Sequence, residues 1–502
     1  MTADGAPFAE LLDRADELSQ DAHYEGALEV LAVLAGRPGV FASSRYVFLL
    51  SRVLRATSRY DAANDVLALL RRDAFLVSRA ETERAQIAWI RHQYEQGVEH
   101  AVHAVRANPG NAAAHAVLRR VQAPITPSRA SAPTGGVAHA AFYVSDGGNF
   151  GDLALPVAVR AAFVDARGPV DWLPVHVHQL FDEERLELTN AQRALVVGGG
   201  GLFLPDTSPN GNSGWQWNVP RAMLERIEVP VAAYAVGFNL FKGQTFHGDL
   251  FRSNLEAFAE QVQFLGLRNH GSVGRVREML PPRLQDKVRF VPCPTTVLQR
   301  TRTGLPPAEA GTGRVLVNAA YDRSSRRFGG GYESFLAGME SFIAQLSASG
   351  AEVRFASHLP GDERFVRDIA AQHGRELPVD RLNLMSPEEG FAYYRRASLV
   401  VGMRGHASMI PFGLGTPILS IVSHPKMRYF LEDIGRPEWA FDVDRPDLGN
   451  ALTVRARDVL QHEQRYRADV ADLQAMLHEP IEQAAVDLLA SASVQDGQPV
   501  PS

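Results

Sequence analysis

The sequence predicts an α/β protein of two facing parallel-sheet lobes behind an all-helical repeat segment. Three observations carry that expectation. Tyrosine-led motifs recur near the N-terminus at spacings of 36 and 34 residues, short β-rich runs alternate with helical segments after residue 138, and that alternation breaks at 303–313 and then restarts. A chain of 502 residues is too long for one ordinary core and implies roughly two to four domains. Its 45% apolar and 22% charged residues are ordinary globular values, which exclude disorder for most of its length.

The helical segment covers 1–122. Tyr24-Glu25-Gly26-Ala27, Tyr60-Asp61-Ala62-Ala63 and Tyr94-Glu95-Gln96-Gly97 each precede an amphipathic run, at 27–35, 63–70 and 98–107, and Pro38 and Pro109 close the first and third runs. A small residue after the tyrosine lets two helices approach, and the tyrosine fills the space between them. The pattern resembles the tetratricopeptide repeat, a pair of antiparallel helices of about 34 residues. Such a segment serves to bind a protein partner or to dock a domain; a helical cap on the next domain gives the same pattern.

A Pro-, Ser-, Ala-, Thr- and Gly-rich linker follows at 123–138. The first lobe spans 139–302, with strands expected at 139–144, 194–197, 229–236, 264–267 and 288–291. The second spans 303–440, with strands at 314–318, 352–356, 399–402 and 417–422. Two consecutive Rossmann-like units of this size face each other across a cleft, and ligands in such folds bind at the C-terminal ends of the strands. Residues 441–491 read as a helical segment able to pack back across both lobes, and 492–502 as a tail.

Charge and composition narrow the function. A net charge of −6 argues against a nucleic-acid partner, which selects a basic excess, although local basic clusters can still grip a small anion. Cys293 is the only cysteine, so neither an intrachain disulfide nor a thiolate zinc site can form. His176 and His178 share one face of a strand without a third ligand, so no metal is assigned. Residues 1–17 lack the basic start and apolar run of a signal peptide, and no apolar run approaches the length of a bilayer span. The sequence therefore predicts a cytoplasmic protein that does not span a membrane.

The densest chemistry lies at 397–411. A hydrophobic strand ends at Gly402, and Arg404 and His406 follow as the chain turns into a helix, so an anion there meets free backbone N–H groups, a guanidinium fork and an imidazole. Gly405 removes a side chain where a ligand approaches the backbone. A salt-bridged arginine and a satisfied histidine at a helix start are the plain structural alternative. The run Gly198-Gly199-Gly200-Gly201 after the strand at 194–197 lets a ligand touch the main chain, yet Phe203 stands where a dinucleotide fingerprint requires glycine, and no Walker lysine follows. Asn149-Phe150-Gly151-Asp152 follows the first strand, either as a ligand loop or as a helix cap. Arg268 stands at another strand end, pointing toward the same cleft. His358 and Asp362, after the strand at 352–356, are secondary candidates for a base or an acceptor site. Trp215 and Trp217 suit either a sugar platform or a loop anchor, and Arg323, Arg326 and Arg327, beside Gly329-Gly330-Gly331, form a basic loop that either contacts an acceptor diphosphate or, the plainer reading, is solvated.

Taken in order, Asn149-x-Gly-Asp152, the glycines at 198–201, Arg268-x-x-x-Ser272, and Val401-Gly-Met-Arg404-Gly-His406 through Gly415-Thr-Pro417 to Lys426 resemble the polysaccharide pyruvyl transferase family over roughly 139–440. The resemblance implies a fold similar to two-lobed glycosyltransferases of the B type. It also implies transfer of the pyruvyl unit of phosphoenolpyruvate onto two hydroxyls of a saccharide or glycan-lipid acceptor as a cyclic ketal, without cofactor or metal. Arg404 and His406 then correspond to the phosphoenolpyruvate-binding pair, and Arg268 to the arginine at the first-lobe strand end. Asn149, Asp152, Gly199, Gly200, Gly201, Gly405 and Lys426 complete the expected substrate contacts, with His406, Arg404 and His358 as the catalytic candidates. Two positions depart from the family pattern: Asn269 replaces an aspartate, and Cys293-Pro294 replaces Asp-Pro.

Chemistry alone also favours this ligand, because phosphoenolpyruvate carries two anionic groups that two arginines can divide. Ketal formation needs C3 protonated and an acceptor hydroxyl deprotonated, with His406 the first candidate for the acid or the phosphate partner. Two other functions remain open. A nucleotide-sugar glycosyltransferase shares the architecture but ordinarily places an acid near the Gly-Pro turn, where this chain has none between Pro417 and Glu432. In a non-catalytic binding protein the helical repeats would be the working part.

Overall fold

The computed structural model describes residues 7–70, 73–144, 148–241 and 243–495. Parts of the N-terminal reading (1–6) and of the tail (496–502) lie outside the described residues. The helical segment consists of Phe8–Gln20, Tyr24–Ala35, Ser44–Ala56, Tyr60–Leu67, Ala74–Ile90, Tyr94–Ala107 and Ala112–Gln122. Each repeated tyrosine starts the second helix of a hairpin. Two residues before each, Ala22, Ser58 and His92 take left-handed backbone conformations with φ of 62°, 58° and 59°. The repeat is therefore a repeated turn as well as a repeated pattern. Gly97 permits the third hairpin to close on its neighbour, since a Cβ there would stand 2.7 Å from Val121 Cγ1.

These turns seat on the first lobe. His92 Nε2 lies 2.8 Å from the Leu180 carbonyl, Gln179 Nε2 donates to the Trp89 carbonyl at 2.7 Å, and Asn218 Nδ2 donates to Tyr60 Oη at 2.9 Å. Gly211 N–H donates to Ser58 Oγ at 2.9 Å, and a Cβ on Gly211 would fall 2.3 Å from the Thr57 carbonyl oxygen. The helical segment is thus docked onto the first lobe through its hairpin turns.

The first sheet contains β1 (Val137–Ala141), β2 (Trp172–His176), β3 (Ala194–Phe203), β4 (Val231–Phe238), β5 (Val262–Leu267) and β6 (Val288–Phe290), in the order β2-β1-β3-β4-β5-β6. The second contains β7 (Arg314–Asn318), β8 (Glu352–Ser357), β9 (Val379–Arg381), β10 (Leu399–Gly402), β11 (Ile418–Val422) and β12 (Ala440–Asp442), in the order β12-β11-β10-β7-β8-β9. Every pairing is parallel, which requires crossover helices and buries both faces; hence the near-continuous apolar runs of β1, β4 and β11. The two Rossmann-like lobes of the expected fold class are present. Each reverses its winding once, at β1/β3 and at β7/β10, and these switch points leave crevices at the strand ends.

Several boundaries differ from the sequence reading. The glycine run is not a loop after β3 but part of it. Gly198, Gly199 and Gly200 have φ of 140°, 72° and 138°, and the register against β4 shifts between Gly200 and Phe203, so a bulge forms and pairing resumes. The first strand ends at Ala141 rather than 144, and the strand under His176 ends before His178. The short outer strands β9 and β12 were not anticipated.

Two features fix the lobes relative to one another. Helix Phe150–Arg167 of the first lobe inserts Phe150 between His358, Phe391 and Tyr394 of the second, and Gly390 is obligatory beneath it because a Cβ there would lie 2.0 Å from Phe150 Cζ. The C-terminal helices Leu448–Gln461 and Glu463–Gln495 pack across both lobes. Gln474 Nε2 donates to the Phe412 carbonyl at 2.5 Å, and Tyr234 Oη donates to the Ile481 carbonyl at 2.9 Å.

Candidate functional site

The two switch-point crevices face each other around a cavity of about 190 Å³. Arg404 enters it from the second lobe. β10 ends at Gly402, where a Cβ would meet Ser408 Oγ at 2.7 Å. Arg404 then stands in extended conformation as the N-cap of helix Gly405–Gly413. Asn318, at the end of neighbouring β7, holds this turn by accepting the N–H of Met403 on its carbonyl and that of Arg404 on Oδ1, both at 3.1 Å. The guanidinium donates from Nε to Asp362 Oδ2 at 2.9 Å, from Nη2 to Asp362 Oδ1 at 2.5 Å, and from Nη2 to Asp322 Oδ1. Burial alone would weaken its charge, but Asp362 and Asp322 hold its pKa above the usual value. Asp322 is held well below the carboxylate range: burial opposes this, and Arg404 and Arg327 outweigh it. Nη1 takes part in none of these bonds.

Arg268 faces it from the first lobe, following β5. It is 6% exposed, and its only side-chain partner among the described residues is Asn239 Oδ1, 2.6 Å from Nη2. Two glycines make room for it: a Cβ on Gly237 would fall 2.4 Å from Arg268 Nε, and one on Gly201 would fall 1.7 Å from Asn239 Nδ2. Lys426 projects from the first turn of helix Pro425–Asp433. Burial, with Arg268 and Arg327 beside it, pushes its pKa down to about 7. Asp152 is pushed up to about 6 by burial, against the pull of Lys426, Arg404 and Arg268. Burial, then Arg268 and Lys426, keep His406 well below its usual value, so the imidazole is neutral.

Of the residues singled out in the sequence, Asn149, Asp152, Gly199, Gly200, Gly201, Arg268, Arg404, Gly405, His406 and Lys426 all line this one cavity. Asn149 is also the helix cap, accepting from Gly151 N–H at 3.1 Å, whereas Asp152 is free of capping and faces the cations. A Cβ at Gly405 would meet its nearest neighbour, Met427 Sδ, only at 3.7 Å, so that glycine leaves the wall bare rather than relieving a clash.

His358 departs from expectation. It is fully buried outside the cavity lining, with Nε2 2.5 Å from Tyr394 Oη and its ring edge-on to Phe150, and burial pushes its pKa down to about 3. The apolar insertion of Phe150 turns it into the core. Asp362 likewise serves Arg404 rather than solvent. Trp215 and Trp217 are 1% and 0% exposed, and Trp215 Nε1 donates to Asn254 Oδ1 at 2.7 Å, so they are anchors and present no face to a sugar.

The cavity also draws on residues outside the expected set of substrate contacts. Arg327, on the basic loop for which solvation is the plainer of the two sequence readings, lines the cavity and donates to Ser423 Oγ at 2.9 Å and to Asp322 Oδ2 at 3.0 Å. Its signal was the pairing of Asp322 with a downstream arginine just past a strand end. Asn239, Thr207 and Gln216 complete the first-lobe wall. Cys293 sits behind His406, its Sγ 3.9 Å from Nε2 and 3.1 Å from Thr295 Oγ1. Asn269 caps helix His270–Met279 by accepting from Ser272 N–H at 2.7 Å, a task asparagine and aspartate share. Among the described residues no His/Cys/Asp/Glu cluster is arranged to hold a metal ion, and no helix is long and apolar enough to cross a membrane.

Fold and site together define a two-lobed α/β protein with a cation-lined cavity between paired switch points. The sequence model of the polysaccharide pyruvyl transferase family matches residues 149–425, more than half of the chain, and the protein belongs to that family of transferases. No curated protein sequence matches the chain. Similar solved structures include a variant O-GlcNAc transferase from Thermobaculum terrenum, at 14% identity and TM-score 0.41, covering 99% of this chain and 100% of that one. Others are a putative UDP-N-acetylglucosamine 2-epimerase from Listeria monocytogenes (12% identity, TM-score 0.45, 73% and 97% covered) and the UDP-GlcNAc 2-epimerase of Neisseria meningitidis (10%, 0.41, 70% and 99%).

Proposed function

We propose that the protein transfers the pyruvyl group of phosphoenolpyruvate to two hydroxyls of a saccharide or glycan-lipid acceptor as a cyclic ketal. The observation that carries this reading is the convergence of Arg268, Arg327, Arg404 and Lys426, drawn from both lobes, on a cavity of about 190 Å³. Such a cavity suits a small, doubly anionic ligand, whose phosphate and carboxylate can each take a cation. In the reaction C2 gains two C–O bonds to the acceptor and loses its bond to the phosphate oxygen and the π bond of C2=C3, whose electron pair takes a proton at C3. One hydroxyl proton is balanced at C3 and the other on the departing phosphate.

The chain's own groups divide that work. Arg404, fixed by Asp362 and Asp322, offers Nη1 to an anionic group, with Lys426 and Arg327 beside it. Arg268 faces them from the opposite wall. His406, being neutral, is suited to take a proton rather than to give one, and a bound dianion raises its basicity by offsetting Arg268 and Lys426. Asp152, with a pKa of about 6, and Lys426, with one of about 7, are the groups able to deliver a proton near neutral pH.

The test is thermal stabilisation of the purified protein by phosphoenolpyruvate and, separately, by uridine and guanosine diphosphate sugars. The expected result is a shift with phosphoenolpyruvate alone, reduced in Lys426→Met and in Arg404→Lys. A shift only with a nucleotide sugar refutes the proposal, and no shift with either favours a binding protein.

A further inference from the structure

A second cavity, of about 420 Å³, opens where the helical segment meets the first lobe. The helical segment supplies Ala22, His23, Tyr24 and Glu25 from its first hairpin turn, and Thr57 and Arg59 from its second. The first lobe supplies the loop at 205–211 and the segment at 246–251. The catalytic cavity shares a wall with it: Leu204 and Thr207 line the catalytic side, while Pro205, Pro209, Asn210 and Gly211 line the other.

That wall is held from all three parts of the molecule. Asp206 accepts from Arg323 Nη2 of the second lobe and from Gln244 Nε2 of the first, both at 2.8 Å, while Tyr24 Oη of the helical segment donates to the Pro205 carbonyl at 3.5 Å. The lining joins flat rings to planar polar groups. His23 and His247 stack across the domain boundary with centroids 4.5 Å apart and planes 17° from parallel. Arg59 pairs with Glu25 at 3.1 Å, and Asp249 and Phe246 line the same cavity, one face of Phe246 being stacked on Phe251. Ring faces and bidentate polar groups are what a pyranose presents partners for: apolar C–H faces and vicinal hydroxyls.

Size separates the roles of the two spaces. Ligand sites ordinarily measure about 300–1,000 Å³, so the catalytic cavity is too small for a donor together with an extended acceptor, whereas the neighbouring one falls in range. We infer that this second cavity is a saccharide subsite, which holds the part of the acceptor chain beyond the pyruvylated residue and makes the helical segment part of acceptor recognition. The inference rests on the proposed saccharide acceptor but not on the identity of the donor.

The experiment uses the full chain and two readouts. Saturation-transfer NMR measures binding of the methyl glycosides of galactose, glucose and mannose and of their homologous trisaccharides to the wild type, His247→Ala and Arg59→Ala. Transfer from phosphoenolpyruvate to the same sugars gives the ratio of kcat/KM for trisaccharide over monosaccharide. The subsite predicts that at least one trisaccharide binds the wild type more tightly than its monosaccharide, and that each variant reduces that preference about tenfold, the effect of one or two lost contacts. Trisaccharide binding that the variants weaken, without transfer from phosphoenolpyruvate, removes the donor assignment and leaves the subsite standing. Transfer with an unchanged ratio in both variants overturns the subsite, as does the absence of trisaccharide binding across the panel.

Discussion

Arg404 and Asp362 form a two-point ion pair, Nε to Oδ2 at 2.9 Å and Nη2 to Oδ1 at 2.5 Å, in which the carboxylate has no solvent exposure. Removing the arginine strands a buried carboxylate, a loss of about 3–5 kcal/mol. Arg404→Ala is therefore expected to lower the thermal midpoint as well as abolish ligand binding, and adding Asp362→Asn is expected to restore much of the stability but none of the binding. A double-mutant cycle by thermal melts checks this; additive effects of the two substitutions would refute the coupling.

Lys426 and Asp152 set a pH dependence. With the lysine at about 7, the cavity loses a positive charge as pH rises through neutrality; with Asp152 at about 6, it gains a negative one slightly earlier. Both changes disfavour an anion, while the ligand's own phosphate takes up a proton below about pH 6, so phosphoenolpyruvate binding should be tightest around pH 6 and weaken on the alkaline side. A bound dianion that raises the Lys426 pKa by one unit corresponds to about a tenfold weakening across the window up to pH 8.5. Calorimetry in buffers of different ionisation enthalpy should show proton uptake on binding, and Lys426→Met should flatten the alkaline part. A pH-independent affinity would contradict the assignment.

The sequence disclosed this site through local contrast. β7 and β10 have the bounds expected of them, because short apolar runs between helical segments have one sensible reading and the motif at 402–406 sits on a strand end. β9 and β12 escaped notice because three-residue outer strands carry no period. The glycine run misled because glycine ordinarily breaks a strand; only the pairing of Gly200 with Val236 and of Phe203 with Phe238 shows that this one continues through a bulge. His358 and Arg327 exchanged roles for a non-local reason. Phe150, some two hundred residues away, fills the space His358 would have faced, and Ser423 draws Arg327 inward.

Cys293 should be unreactive in the folded protein. It is 2% exposed, and burial raises its pKa despite the nearby Arg268. A chromogenic disulfide reagent is expected to titrate no thiol in the native protein and one per chain in denaturant, the one cysteine of the sequence. Cys293→Asp, which restores the residue usual in the family, places a carboxylate beside His406 and is expected to raise the imidazole pKa, read by its NMR titration.

Gly201 is the most sensitive position in the cavity wall. A Cβ there would stand 1.7 Å from Asn239 Nδ2, and Asn239 cannot retreat without releasing Arg268, whose Nε already has no hydrogen-bond partner. Overpacking of this kind costs about 1–3 kcal/mol. Here the displaced side chain is also the one that orients an arginine of the cavity. Gly201→Ala is thus expected to weaken phosphoenolpyruvate binding by about tenfold in addition to lowering the thermal midpoint. Gly274→Ala is the contrast: within helix His270–Met279, with nothing within 4 Å of its added methyl, it should leave binding unchanged and stabilise by up to about 1 kcal/mol. Equal effects of the two substitutions on affinity would show that Asn239 does not position Arg268.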